Sequence, residues 1–314
     1  MNKPLLVVAC AFGALQLQAQ TTLHVSPDGT ADGSSWSQPT SLHSALKQAA
    51  AGDQLWLQAG TYAVSQAADR AVAFEVPPGV KLLGGFSGSE KSANQRNPAK
   101  QPTILSGEIG TQARHDNAYT ILSLEGDHSR TTVDGVTLQG AYANGAGGPA
   151  AASRAGGAVH ISTGAPRGQS APSFVNCVFV GNYARDGGAV YIDGRAGTAK
   201  PNFIACTFRQ NEADLDGGAV YSDARRRGQV NPTFTDCVFA GNVANYGGAV
   251  FNQATKGTSI PRFANCTFDA NKAYVRGAAL YSIDHQGRSE VQLTDCTFVE
   301  EAARPTETSV ARNR

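Results

Sequence analysis

The chain has 314 residues, 35 of them glycine, with 41% apolar and only 16% charged residues. That balance excludes a charge-extended disordered chain, and the absence of a three-residue glycine period excludes a collagen helix. With 26 Lys and Arg against 25 Asp and Glu, no global field steers nucleic acid to the chain, so none is expected as a partner.

Residues 1–19 read as a secretory signal peptide. Lys3 supplies the positive start, Leu5 to Leu15 the short apolar run, and Ala19 the small-residue end. Val7-Val8-Ala9-Cys10 also fits a lipoprotein box with Cys10 acylated, a minority reading because few apolar residues precede it. No later run is long and apolar enough to make a transmembrane segment. The mature protein is therefore expected outside the cell or at its surface. Residues 20–54 hold a first strand and a short amphipathic helix, Ser41 to Ala51, whose apolar face is Leu42, Ala45, Leu46 and Ala49. Short β-favouring runs follow at Gly52 to Leu57, Val80 to Phe86, Thr103 to Ser106, Tyr119 to Leu124 and Thr132 to Gly140. Residues 141–155 are a small-residue excursion that reads as a loop.

From residue 156 the chain repeats. Gly-Gly-Ala-Val-aromatic stands at Gly156 to His160, Gly187 to Tyr191, Gly217 to Tyr221 and Gly247 to Phe251, with a degenerate copy at Gly277 to Tyr281. Between these lies Cys-x-Phe-x-x-Asn: Cys177-Phe179-Asn182, Cys206-Phe208-Asn211, Cys237-Phe239-Asn242 and Cys266-Phe268-Asn271. A fifth copy starts at Cys296-Phe298 but has Glu301 in the Asn place. The period is 29–31 residues, with apolar alternation of two and no space for a useful helix. Such a period predicts an all-β solenoid, in which like residues stack about 4.8 Å apart. Asn182, Asn211, Asn242 and Asn271 are expected to form an internal amide ladder. Cys177, Cys206, Cys237, Cys266 and Cys296 are expected as a stack of free thiols, since in-register spacing exceeds what a disulfide takes.

The paired GGA[ILV] and FxxN strings, here Phe179 to Asn182, Phe208 to Asn211, Phe239 to Asn242 and Phe268 to Asn271, resemble the repeats of chlamydial polymorphic membrane proteins. They are similar also to those of secreted bacterial right-handed parallel β-helix proteins of the pectate-lyase-like superfamily. The resemblance implies a right-handed single-stranded parallel β-helix over residues 55–301, of roughly eight coils. It also implies that His24 to Trp36 is the first strand and loop and that the Ser41 to Ala51 helix caps the open end. Residues 302–314 read as a polar tail.

Three features carry functional expectations. The row Tyr191, Tyr221, Phe251 and Tyr281, headed by His160, alternates with inward aliphatics and so is expected to face outward, as a platform for sugar rings or a ladder stabilising the sheet. Next to it, loops holding Arg167, Arg195 with Lys200, Arg225-Arg226-Arg227, Lys256 and Arg288 would align into a basic ridge suited to carboxylate or sulfate. Stacking also puts Asp186 over Asp216 and Asp193 over Asp223, pairs that raise a pKa or recruit a cation, and that are also ordinary turn residues. The resemblance to β-helix lyases implies that Asp186, Asp216, Asp193 and Asp223 with Arg195 or Arg225 would be the catalytic set of an enzyme, with Ca2+ as its cofactor. The vWiDH, RxPxxR, NTD and RIK strings of pectate lyases and polygalacturonases are not found. The reading is therefore a non-catalytic, adhesin-like surface protein that binds polysaccharide, a host or cell-surface glycan, or another surface, and needs no cofactor. The alternatives are a lyase or glycoside hydrolase acting on acidic polysaccharide, and a structural envelope rod.

Overall fold

The computed structural model describes residues 20–65, 67, 69–111, 113–148, 150–299 and 310–313. The expected signal peptide with Cys10, Glu301 and most of the expected tail lie outside them. The described residues form an all-β parallel solenoid of about nine turns, close to the expected count.

Five parallel sheets run along the stack. Sheet I has nine strands, from Thr22–Val25 to Gln292–Thr294, and sheet II eight, from Gly60–Ala63 to Thr297–Val299. Sheet III holds Tyr142–Ala143, Tyr183–Asp186, Glu212–Asp216, Val243–Tyr246 and Lys272–Arg276. Sheet IV runs from Phe74–Glu75 and Leu122–Glu125 through Val159–Ser162, Val190–Asp193, Val220–Asp223, Val250–Gln253 and Leu280–Ile283. Its last strand is Val310–Asn313, so that part of the expected tail has strand backbone paired to Leu280–Ile283. Sheet V has five two-residue strands, from Gln169–Ser170 to Arg288–Ser289.

Each coil turns at sites its sequence dictates. Between sheets I and II one residue takes a left-handed conformation (Asn176, Ala205, Asp236, Asn265, Asp295, φ 51–55°). Asn and Asp tolerate that region better than Ala does. Between sheets II and III the bend is held by the Asn ladder. Asn182 Nδ2 donates to Asn211 Oδ1 at 3.1 Å, Asn211 to Asn242 at 3.0 Å, and Asn242 to Asn271 at 2.9 Å. Each amide also donates to a backbone carbonyl of the preceding coil, so these fully buried groups are satisfied. The Gly-Gly pairs turn sheet III back into sheet IV. A Cβ at Gly218 would lie 2.1 Å from the Gly248 carbonyl oxygen, and Gly217 sits at φ +68°, so only glycine fits here.

The bore is packed by stacked rings. Phe179, Phe208, Phe239, Phe268 and Phe298 stack at 4.5–4.9 Å. Phe174, Phe203, Phe234 and Phe263 form a second stack at 4.8–5.1 Å, edge-on to the first. The five Cys among the described residues are free, four of them buried, and each Sγ lies 3.4–3.6 Å from a carbonyl of the preceding coil. Helix α1, Leu42–Gln48, closes the first coil. Ser41 caps it by accepting from the Ser44 N–H at 3.2 Å, and Leu42, Ala45 and Leu46 are buried against the stack.

Candidate functional site

The outer side of sheet IV carries the expected aromatic row in register: His160, Tyr191, Tyr221, Phe251 and Tyr281. The row is not an exposed platform, which corrects the sequence expectation. Tyr191 is 0% exposed, Tyr221 4%, Phe251 1% and Tyr281 2%. Alternation gives the side of the strand a residue occupies, not what lies over that side. Here sheet III turns back at each Gly-Gly pair, and Ala155 and Tyr246 pack on the rings, making a second small core. The row therefore has the stabilising role, with rings 5.0–5.7 Å apart. His160 stacks on Tyr191 and its Nε2 lies 3.1 Å from the Ala150 carbonyl of the excursion loop, which folds over it. Burial lowers the His160 pKa.

Both carboxylate pairs are brought together. Asp186 pairs in register with Asp216 at the end of sheet III, and Asp193 with Asp223 at the end of sheet IV. Their fates differ. Asp193 accepts from Arg195 Nε and Nη2 at 2.9 and 2.7 Å. Asp223 accepts from Arg225 at 2.8 and 2.6 Å and from the Tyr191 hydroxyl at 2.5 Å, and lies 3.6 Å from Arg195 Nε. These four residues make a closed, charge-balanced group in which each Arg holds the Asp two positions before it in both fork bonds. Arg195 and Arg225, expected on the basic ridge or in the catalytic set of an enzyme, are half-buried here, their pKa values raised further by those Asp bonds. Neither guanidinium is set up to give up a proton.

Asp186 and Asp216 are the unusual members. Burial pushes Asp186 up to about 6, with Arg185 (3.2 Å away), Arg225 and Arg154 pulling it back. Burial and then the Asp186 charge push Asp216 up to about 7. A carboxyl pair that changes protonation near neutrality, beside arginines, has the chemistry of a proton donor and acceptor. The calcium expectation does not fit the donors present. Asp193 and Asp223 are taken by arginine forks, Asp186 by Arg185, and no group of three or more His, Cys, Asp or Glu is placed to hold a metal among the described residues.

The basic ridge survives in part. The bend between sheets IV and V repeats its geometry coil after coil. Arg167, Ala196, Arg227, Lys256 and Gln286 occupy its left-handed position at φ 54–66°, tied by the Arg167 N–H to the Ala196 carbonyl, the Arg227 N–H to the Lys256 carbonyl, and the Lys256 N–H to the His285 carbonyl. Arg226 is an added left-handed residue beside Arg227. Arg167, Lys200, Arg226, Arg227 and Lys256 are exposed and hold no ion pair among the described residues, while Arg288 is paired with Glu290 at 2.5 Å. The result is a discontinuous column of free cations on one edge.

Two features were not foreseen from sequence. Tyr142 stacks on Tyr183 at 4.2 Å on sheet III, with the Arg114 guanidinium 5.3 Å from the Tyr142 ring and 3.6 Å from Glu212. Neither Tyr belongs to the aromatic slot of the repeat, so periodicity did not expose them. Cavities of about 690 and 570 Å³ flank α1, both reaching His43. They depend on how the cap sits on the first coils.

No protein-family model matches the chain. No curated protein matches it either. Among solved structures, the pectate lyase Pel9A aligns with a TM-score of 0.48 at 11% identity, over 93% of this chain and 80% of its own. An alginate lyase from Paenibacillus sp. str. FPU-7 aligns with a TM-score of 0.34 at 11% identity, over 93% of this chain and 98% of its own. Neither likeness assigns a residue or an activity to this chain.

Proposed function

We propose that the chain, once exported, binds acidic polysaccharide along the cation edge between sheets IV and V and does not cleave it. The observation that supports this is the column of exposed cations Arg167, Arg226, Arg227 and Lys256, with Lys200 beside it, left unpaired while the neighbouring Arg195 and Arg225 are neutralised by aspartate. Cations fixed at successive bends of a rigid rod meet a linear polyanion without first being ordered, which lowers the cost of binding. The stacking of sugar rings on Tyr191, Tyr221, Phe251 and Tyr281 is no part of this reading, because those rings are buried.

A second reading is favoured by one observation, the raised pKa values of Asp186 and Asp216. In it, Asp216, the more exposed of the two, would act as acid or base on a polymer lying on the edge, with Asp186 keeping its pKa high. Affinity gels cast with polygalacturonate, alginate or a neutral glucan separate the readings. Binding predicts retardation in the acidic gels only, lost in Arg226→Gln/Arg227→Gln/Lys256→Gln. Equal migration in all gels contradicts it. New reducing ends or unsaturated uronate products that vanish in Asp216→Asn would establish the second reading instead.

A further inference from the structure

The bore changes character along its length. On sheet IV the third residue of each strand points inward, and it is Leu124, Ile161 and Ile192 in successive coils, all in the main core. The next three coils put Ser222, Asn252 and Ser282 in that place. The facing inward position on sheet V is Ser170, Ala199, Val230, Ser259 and Ser289 in order, so on that side polar residues stand at both ends of the column. Two residues beyond that third place, at the inside corner, a Cβ on Gly194 would lie 2.4 Å from Val230 Cγ2 and 3.4 Å from Ala199 Cβ, and the next two coils put the buried Ala224 and Ala254 there. The later coils therefore carry hydroxyls and an amide in these inward columns, all of them buried.

Four of these oxygens are orphaned. Among the described residues Ser222 Oγ, Asn252 Oδ1, Ser259 Oγ and Ser289 Oγ have no hydrogen-bond partner, although Asn252 Nδ2 donates to Ser282 Oγ at 3.2 Å, and Ser170 Oγ at the early end of the sheet V column is orphaned as well. Buried polar atoms of this kind are satisfied in folded proteins, and a protein group or water does it. The Asn182 to Asn271 column satisfies its own amides in file, whereas the column of Ser222, Asn252 and Ser282 makes only the Asn252–Ser282 side-chain bond among the described residues.

We propose that the inside corner between sheets IV and V, from the coil of Ser222 to the coil of Ser289, binds a file of water molecules that bridges Ser222, Asn252, Ser259 and Ser289. The donor set is neutral and all-oxygen, which suits water, since each hydroxyl can donate as well as accept. The file lies behind the strand that carries Asp223, separated from the Asp–Arg group by the thickness of one sheet. It is independent of what the outer edge binds.

The test is a crystal structure of the full chain at a resolution that shows ordered water, with anomalous data collected to identify ions. The expected result is density within hydrogen-bond distance of at least three of the four orphaned oxygens. An empty corner overturns the proposal, and so does an anomalous scatterer in the water positions. The variant Ser222→Ile/Asn252→Ile/Ser259→Val installs the residues of the earlier coils and should fold with loss of those water peaks. If it fails to fold, Ser222→Ala alone should still remove the peak bonded to Ser222 Oγ while leaving the others. A peak that persists there in Ser222→Ala shows that the serine does not hold the water, and contradicts the proposal.

Discussion

Replacing Asp216 with Asn keeps the shape of the side chain and removes its ionisation. The Asp216 carboxyl is held at about 7 against an ordinary 3.8, first by burial and then by the charge of Asp186. The folded protein therefore binds a proton more tightly than the unfolded chain does between those values. Its contribution to stability is complete below about pH 4 and is lost as the pH rises towards 7. At ~1.4 kcal/mol per pH unit the gap corresponds to about 4 kcal/mol, and the partial exposure of Asp216 reduces this to about 2 kcal/mol. Urea unfolding of both proteins at pH 4 and pH 8 measures it. The two should be alike at pH 4, and Asp216→Asn should be the more stable by about 2 kcal/mol at pH 8. A variant that is less stable at pH 8 would refute the reasoning, because it would mean that Asp216 is ionised and held by Arg185 or Arg225.

Further outcomes follow from single contacts. Asn211→Ala removes four side-chain hydrogen bonds of the ladder and should cost about 4 kcal/mol in urea unfolding; a loss below about 1 kcal/mol would show that the ladder is not what holds the bend. Gly218→Ala drives a Cβ against the Gly248 carbonyl and should give insoluble or unfolded protein, whereas Gly148→Ala, with nothing within 4 Å, should leave the melting temperature unchanged. Tyr191→Phe loses the bond to Asp223 and should lower stability by about 1–2 kcal/mol. Because the ring is buried, polysaccharide binding should not change; reduced binding would restore the exposed-platform reading.

The scaffold was largely legible because a solenoid writes its contacts into its period. Asn182, Asn211, Asn242 and Asn271 recur at constant spacing, so their stacking follows from the repeat alone, and their amides do bond in file. The pairing of Asp186 with Asp216 and of Asp193 with Asp223 follows in the same way. What failed was exposure. A period gives which residues stack, but the cover over Tyr191 and Tyr221 comes from the path of sheet III through Gly187-Gly188 and Gly217-Gly218, a tertiary feature. The locking of Arg195 and Arg225 had a local signal, the Asp-x-Arg spacing of Asp193 to Arg195 and Asp223 to Arg225. A carboxylate two residues before an arginine across a bend is within reach of its fork. The second Phe stack likewise had a signal in the Phe three residues before each of Cys177, Cys206, Cys237 and Cys266.

The claim that the free cations of one edge hold an acidic polysaccharide is tested most directly by measuring affinity for a soluble polyuronate over a range of salt concentrations. Wild-type protein and Arg226→Gln/Arg227→Gln/Lys256→Gln are compared. Because a polyanion releases condensed ions when lysine and arginine neutralise it, affinity should fall with salt, and the dependence should flatten in the variant. Binding whose salt dependence is the same in both proteins, or no binding by the wild type at low salt, would contradict the account.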